Sequence, residues 1–335
     1  MHCSLGRLAL GCLAAVAWAG SLWAATPLEQ LKSVSFLPPL DLARLKKGEI
    51  VVERGPVGEF PRGVHLQSCY FVHAPMPAVG DALLHWNPIE HKDPEVRLYR
   101  EYALPGTAED FKTLRLDQAN QDDSWLLEQS ARVAKGSAPD DLHLTKDEVE
   151  LLRQNAARPN DAWREILLRR SAALARGGLS AVAPFGTTPG LSPGSEFRGL
   201  LTLAPKAAQY FRPLTRARPL VANGKALSET VAYWEATKVR DHTTLQLGLC
   251  AAQKSADSWQ LIDCVYYPSD TYFMALDLYQ LWPMEGGTLV WQVGFVSAPF
   301  RTYLGGVDRF VAGKLMTEET IATIKRFRDA VEKGR

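Results

Sequence analysis

The sequence predicts an α+β fold in which a curved antiparallel sheet grips a long C-terminal helix, with a helical insertion in the middle of the chain. Three observations point there. Between Thr230 and Pro299 the chain passes through successive apolar segments joined by short turns, and connections this short favour sequential antiparallel pairing. The chain has 9 Trp, 10 Tyr and 12 Phe, and ten of these aromatics fall between Trp259 and Phe300, enough for a main core or the wall of an apolar cavity. Beyond them, Thr317 to Val331 places Ile321, Ile324, Phe327 and Val331 on one helical face, with Lys325, Arg326 and Asp329 off it.

Taken in order, Leu28 to Ser33 reads as a short polar helix ahead of the joint Pro38-Pro39. Gly48 to Arg54 reads as a strand because Ile50, Val51 and Val52 are β-branched, and Gly55, Pro56 and Gly58 then turn the chain. Val64 to His73 is a second strand, and Ala78 to Trp86 a helix opened by Ala74-Pro75-Met76-Pro77 and stopped by Asn87-Pro88. From Glu109 to Gly177 helix formers dominate. Thr145 and Glu148 form a capping box, and Asn160 is expected to cap a helix over Ala162 to Ala175 that Gly177 ends. Ser180 to Gly194 reads as a loop. Five strands follow: Val231 to Thr237, Thr243 to Ala252, Ser258 to Tyr267, Thr271 to Leu281 and Gly287 to Ser297. Several are apolar on both faces, so the sheet is covered on both sides or curls around something. The last helix is expected to start at Thr317, with Glu318 and Glu319 in its first turn.

The N-terminus reads as an export signal: Arg7 precedes the apolar stretch Leu8 to Trp23, and cleavage is expected after Ala19 or Ala25. An uncleaved anchor is the alternative, although the stretch is short for a span and no stop-transfer pattern follows. Residues 26–335 are then one domain, soluble and periplasmic or secreted, with no stable membrane span, the segment 109–177 being its helical insertion. The formal net charge is +1 with no basic cluster, which argues against a nucleic-acid partner. Cys69, Cys250 and Cys264 remain after the signal, and Cys250 and Cys264 flank a hairpin. A loop centred on Asp257 makes them face each other and bridge; a turn over Lys254 to Asp257 puts Cys250 opposite Leu261 instead.

No catalytic motif survives inspection. Gly190-Leu191-Ser192-Pro193-Gly194 matches the serine-hydrolase elbow, but that elbow needs the N–H after the nucleophile, and Pro193 has none. His65, His73, His85, His91, His143 and His242 show no metal-ligand spacing, and no glycine-rich phosphate loop is present, so neither metal nor cofactor is expected. Single charges within apolar strands are more informative. Asp263, Asp277 and Glu235 each need a partner if buried, and Arg301 and Arg309 are candidate counterions. Solvent-facing or structural pairing and a ligand contact both fit such residues.

The order of segments, with "APMPAVGDALLHW" before the sheet and an amphipathic helix after it, resembles the helix-grip fold of START-type (SRPBCC) lipid-binding domains. The chain also resembles a group of exported bacterial proteins through "WREILLRRSAALARGG", "YWEATKVRDHTTLQLGL", "VYYPSDTYFMALDLYQLW" and "FRTYLGGVDRF". The resemblance implies a hydrophobic cavity between sheet and last helix, and carries over no catalytic residue. Candidates to line it are Asp263, Asp277, Tyr279, Trp291, Arg301 and Phe327. The expected function is binding or carrying an apolar, lipid-like small molecule. Two alternatives stand beside it: a hydrolase- or cyclase-type enzyme using Asp263, Asp277 or His242, and a non-catalytic envelope interaction protein.

Overall fold

A computed structural model describes residues 26–186, 190–300 and 307–334 of the chain. The expected signal, residues 1–25, and Arg301 lie outside the described residues. The first part of the chain forms α1 (Pro27–Val34), α2 (Leu42–Lys46), β1 (Ile50–Arg54), β2 (Gly63–Val72), α3 (Met76–Leu84) and β3 (Val96–Tyr102). A helical stretch follows: α4 (Ala108–Phe111), α5 (Gln121–Ala134), α6 (Lys146–Gln154), α7 (Pro159–Gly177), α8 (Pro193–Leu201), α9 (Pro205–Tyr210) and α10 (Arg212–Thr215). The rest is β4 (Glu229–Val239), β5 (His242–Lys254), β6 (Trp259–Pro268), β7 (Met274–Met284), β8 (Gly287–Ser297) and α11 (Val307–Lys333).

The strands form one antiparallel sheet in the order β1-β2-β8-β7-β6-β5-β4-β3. Strands β4 to β8 make the sequential meander that the short turns predict. The long-range step is β2 against β8, which pair along their lengths from Gly63↔Ser297 to Val72↔Thr288 and attach the N-terminal strands to the meander. The edge strand β3 was missed in the sequence because its VRLYREY is half-exposed and interrupted by charge. It pairs with β4 through a register shift between Val96 and Leu98.

Period-two alternation sends the two sets of side chains to opposite faces. On one face Cys69, Phe71, Trp234, Leu247, Leu249, Trp291 and Phe295 are buried in a core shared with α5 to α10. On the other, Tyr70, Val72, Tyr233, Cys250, Leu261, Leu281 and Val290 pack with residues of α3 and α11. The sheet is the middle of three layers, which explains strands that are apolar on both faces.

The helical layer extends past the predicted insertion, through α8 to α10. Ser192, in the expected loop, is the N-cap of α8: its hydroxyl accepts from Ser195 N at 3.3 Å, with Pro193 in the first turn. Asn160 does not cap α7. It sits inside the first turn, and its amide bonds both backbone groups of Leu116, at 2.8 and 3.1 Å. Thr145 and Glu148 do form the capping box. Glu148 also receives Arg170 Nε and Nη2, both at 2.7 Å, and the guanidinium lies over the Tyr267 ring at 3.9 Å. That ion pair is 1% and 7% exposed and fastens two helices to the sheet.

Helix α11 starts ten residues ahead of the predicted Thr317. Thr317 is interior, its hydroxyl donating to Gly313 O at 2.9 Å, so the cap-like Thr-Glu-Glu was a helix-surface pattern rather than a start. The second half of α11 is tied down by Arg328 to Gly48 O at 3.0 Å, Glu332 to His73 N at 2.8 Å and Arg326 to Asp93 at 3.2 Å. Among the described residues no helix is long and apolar enough to cross a membrane.

The Cys250–Cys264 bridge that one of the two expected registers allowed is not formed; Cys69, Cys250 and Cys264 are free and buried. The register differs from both expected ones. Cys250 stands opposite Asp263, and Cys264 opposite Leu249. That offset of one residue turns the two thiols to opposite faces, where no bridge can close.

Two stability outcomes follow. Arg170→Met leaves Glu148 buried and unpaired, and urea denaturation should show a loss of about 3–5 kcal/mol. Thiol titration of the chain from Thr26 onward should find its cysteines all free, unreactive when folded and fully reactive in denaturant, with no mobility change on reduction.

Candidate cavity between the sheet and the C-terminal helix

Between the second face of the sheet, α3 and the middle of α11 lies a cavity of about 320 Å³. Its floor is made of alternating positions on adjacent strands: Tyr70 of β2, Asp263 of β6, Asp277 and Tyr279 of β7, and Gln292 and Val296 of β8. Leu83 and Trp86 wall it from the α3 side, while Met316, Glu319, Thr323, Ile324 and Phe327 come from α11. Glu319 and Thr323 are exposed, so the cavity reaches solvent along that stretch of helix.

The space exists because of small residues at defined positions. Gly294 stands opposite Asp277 in the β7–β8 register. A Cβ there would lie 2.9 Å from Asp277 Oδ1 and 3.1 Å from Met316 Cε, so glycine leaves room for the carboxyl beneath the helix. Gly248 does the same for Tyr233, its partner across β4–β5; a Cβ would meet the phenol ring at 2.0 Å. The ring can therefore lie across β5 and donate its hydroxyl to Asp263 Oδ1 at 2.9 Å.

Asp263 and Asp277 are direct cross-strand partners. Side chains so placed have Cβ atoms about 5 Å apart, and like charges there repel. Donors support both carboxyls: Tyr233, with the Cys250 thiol and the Cys264 N–H, for Asp263, and Gln292 Nε2, at 2.7 Å, for Asp277. Gln292 is held in turn by Ser68 Oγ, which donates to its Oε1 at 3.0 Å. Both carboxyls are set deep among protein atoms yet keep a little surface open to the cavity. Burial is the main cause that raises both above the ordinary range, and it takes Asp277 to about 7 with Asp263 adding repulsion. Glu235, further along the same face on β4, is also raised by burial to about 7.

Of the six residues expected to line the cavity, Asp263, Asp277, Tyr279 and Phe327 do. Trp291 does not. Alternation sends it to the opposite face, where its ring packs against Phe211 at 5.2 Å and Tyr210 at 5.5 Å in the helical layer. Arg301 lies outside the described residues, and Arg309, the other candidate counterion, donates to Gly58 O at 3.1 Å. No arginine is bonded to either aspartate among the described residues. The sequence did not single out Tyr70, Trp86, Gln292 or Gly294. Period-two counting outward from Asp277 would have reached Tyr279, and the β7–β8 hairpin sets Gln292 opposite it, but the β2–β8 pairing that adds Tyr70 has no local signal.

His242 lies apart, at the β4–β5 turn. It is clasped by Asp241 at 3.0 Å and Asp270 at 2.8 Å and stacked on Trp125 at 3.8 Å. Burial opposes its charge, but its hydrogen bonds to the carboxylates of Asp270 and Asp241 prevail and raise its pKa. It lines a separate cleft with no residue in common with the cavity, so chemistry shared by Asp263, Asp277 and His242 has no common place. Among the described residues no His, Cys, Asp and Glu gather as a metal site.

Fold and site together define an α+β protein with a partly polar cavity under its C-terminal helix. Compared with family models, curated proteins and solved structures, the chain finds no match in any of the three.

The raised Asp277 fixes a sign. Its folded pKa of about 7 exceeds the ordinary Asp value of roughly 3.9, so stability is full below the lower value and falls as pH rises through the higher one. Asp277→Asn removes that loss. Urea melts should find the variant more stable than wild type at about pH 8, by on the order of 2 kcal/mol, with the gap closing near pH 4.

Proposed function

We propose that this protein binds or carries a small, largely apolar molecule in the cavity between its sheet and α11, and that it does so after export. The observation that carries the reading is the cavity itself: about 320 Å³, walled by Leu83, Trp86, Ile324 and Phe327, with a few polar groups fixed at its floor. That mixture is the usual composition of a small-molecule site. An antiparallel sheet closed by a C-terminal helix supports a START-like helix-grip assignment, to which this chain adds a helical layer on the outer face of the sheet. Export rests on the sequence of residues 1–25.

Size narrows the ligand. Small-molecule pockets span roughly 300–1,000 Å³, and this one is at the lower end. It suits one ring system or one short chain better than a two-tailed lipid.

A second reading has one observation in its favour. A carboxyl with a pKa near neutrality, paired with another in a cavity, is suited to general acid–base work. The alternative is therefore an enzyme acting through Asp277 and Asp263.

Native mass spectrometry of protein purified from its own host should show a bound small-molecule mass, and the protein should take up a hydrophobic dye. Thr320→Trp, which fills the cavity from α11, should abolish both. Wild-type protein that is empty and takes up no dye would sink the binding reading. Turnover of the co-purified compound, lost in Asp277→Asn, would favour the enzyme instead.

A further inference from the structure

We propose that the molecule this cavity takes is an organic monocation, a protonated amine or quaternary ammonium carried on an apolar body. The inference rests on the binding reading above and names its ligand class.

Charge is the first observation. The lining carries three carboxyls, Asp263, Asp277 and Glu319, and among the described residues no Lys, Arg or His. An anionic head group, such as a fatty-acid carboxylate, would enter against two buried acids with no counterion. A phosphate-bearing head group likewise finds no donor cation on the walls. A cation entering the same space gains the partner that a buried carboxylate otherwise lacks.

The second observation is independent of the acids. Tyr70 is 1% exposed, lines the cavity, and its hydroxyl has no hydrogen-bond partner among the described residues. That oxygen keeps surface on the cavity, unlike the sealed and unpartnered hydroxyls of Tyr102 and Tyr266. An ammonium N–H donating to Tyr70 Oη, or an N-methyl group resting against it, would give it a partner. The remaining carboxyl capacity agrees. Tyr233 and Gln292 each occupy Oδ1 of their aspartate, and Asp277 Oδ2 has no partner among the described residues.

The third is the kind of wall. Trp86 and Phe327 meet at 5.4 Å between ring centres, and Tyr70 and Tyr279 complete an aromatic surround to the acid pair. Aromatic faces attract ammonium ions through the ring quadrupole, most strongly where water is excluded. An apolar ligand alone would use these rings but leave both carboxyls facing it unpaired.

The test compares three probes of one chain length on the full chain: octyltrimethylammonium, 1-octanol and octanoate, by isothermal titration at about pH 8, where an Asp with a pKa near 7 is mostly ionised. The ammonium should bind at least about tenfold more tightly than the alcohol, and octanoate most weakly. Asp277→Asn, checked for folding by circular dichroism, should shrink the ammonium-to-alcohol ratio toward one. The wild-type comparison stands even if that variant does not fold. Alcohol binding as tightly as ammonium, or octanoate binding best, overturns the charge assignment while leaving the binding cavity intact. Failure of all three probes to bind overturns the binding reading and this inference with it.

Discussion

A sheet with apolar side chains on both faces has no side to give to water, and most of this structure answers that constraint. Strand β5 is buried from His242 to Ala252, and β8 is almost entirely buried. Burying apolar surface is worth about 25 cal/mol per Å², so leaving either face open would forfeit most of what stabilises the meander. One face is met by the helices between β3 and β4, docked through Trp163, Ile166, Phe211 and the Arg170–Glu148 pair. The other is met by two elements that lie at opposite ends of the chain, α3 and α11.

That second cover is incomplete, and the gap is where the interesting chemistry lies. Helix α11 is anchored at its start, by Arg309, and through its second half, by Arg326, Arg328 and Glu332, while Met316, Glu319 and Thr323 span a hollow rather than a packed surface. Beneath it the sheet presents Asp263 beside Asp277 where a core would normally present Leu or Val. A buried carboxyl without a counterion is expensive, and replacing it by an apolar residue would ordinarily stabilise the fold. The hydrogen bonds from Tyr233 and Gln292, and the glycines that make room at 248 and 294, show a site supported on several strands at once.

The C-terminal meander, its strands and the final helix were readable because each rests on local pattern: β-branched and aromatic runs, turn residues and an amphipathic period. Strand β3 and helices α8 to α10 were not, since their burial comes from neighbours rather than from their own periodicity. The cysteines show the limit most clearly. A four-residue loop after Lys254 puts Cys250 opposite Asp263, and one residue of register separates a plausible bridge from two thiols on opposite faces. Trp291 fell to the same rule; its neighbours Val290 and Gln292 face the cavity side, and it does not.

From the residues alone came the α+β class, the antiparallel meander, the closing helix and the acids Asp263 and Asp277 as the polar groups to watch. Those follow from propensity and alternation, which act over a few residues. Tertiary structure alone decided that the two acids are cross-strand partners, that Gln292 meets them through the β7–β8 register and Tyr70 from a strand far away in sequence, and that the thiols part. These depend on register and on long-range pairing between β2 and β8, neither of which any single segment encodes.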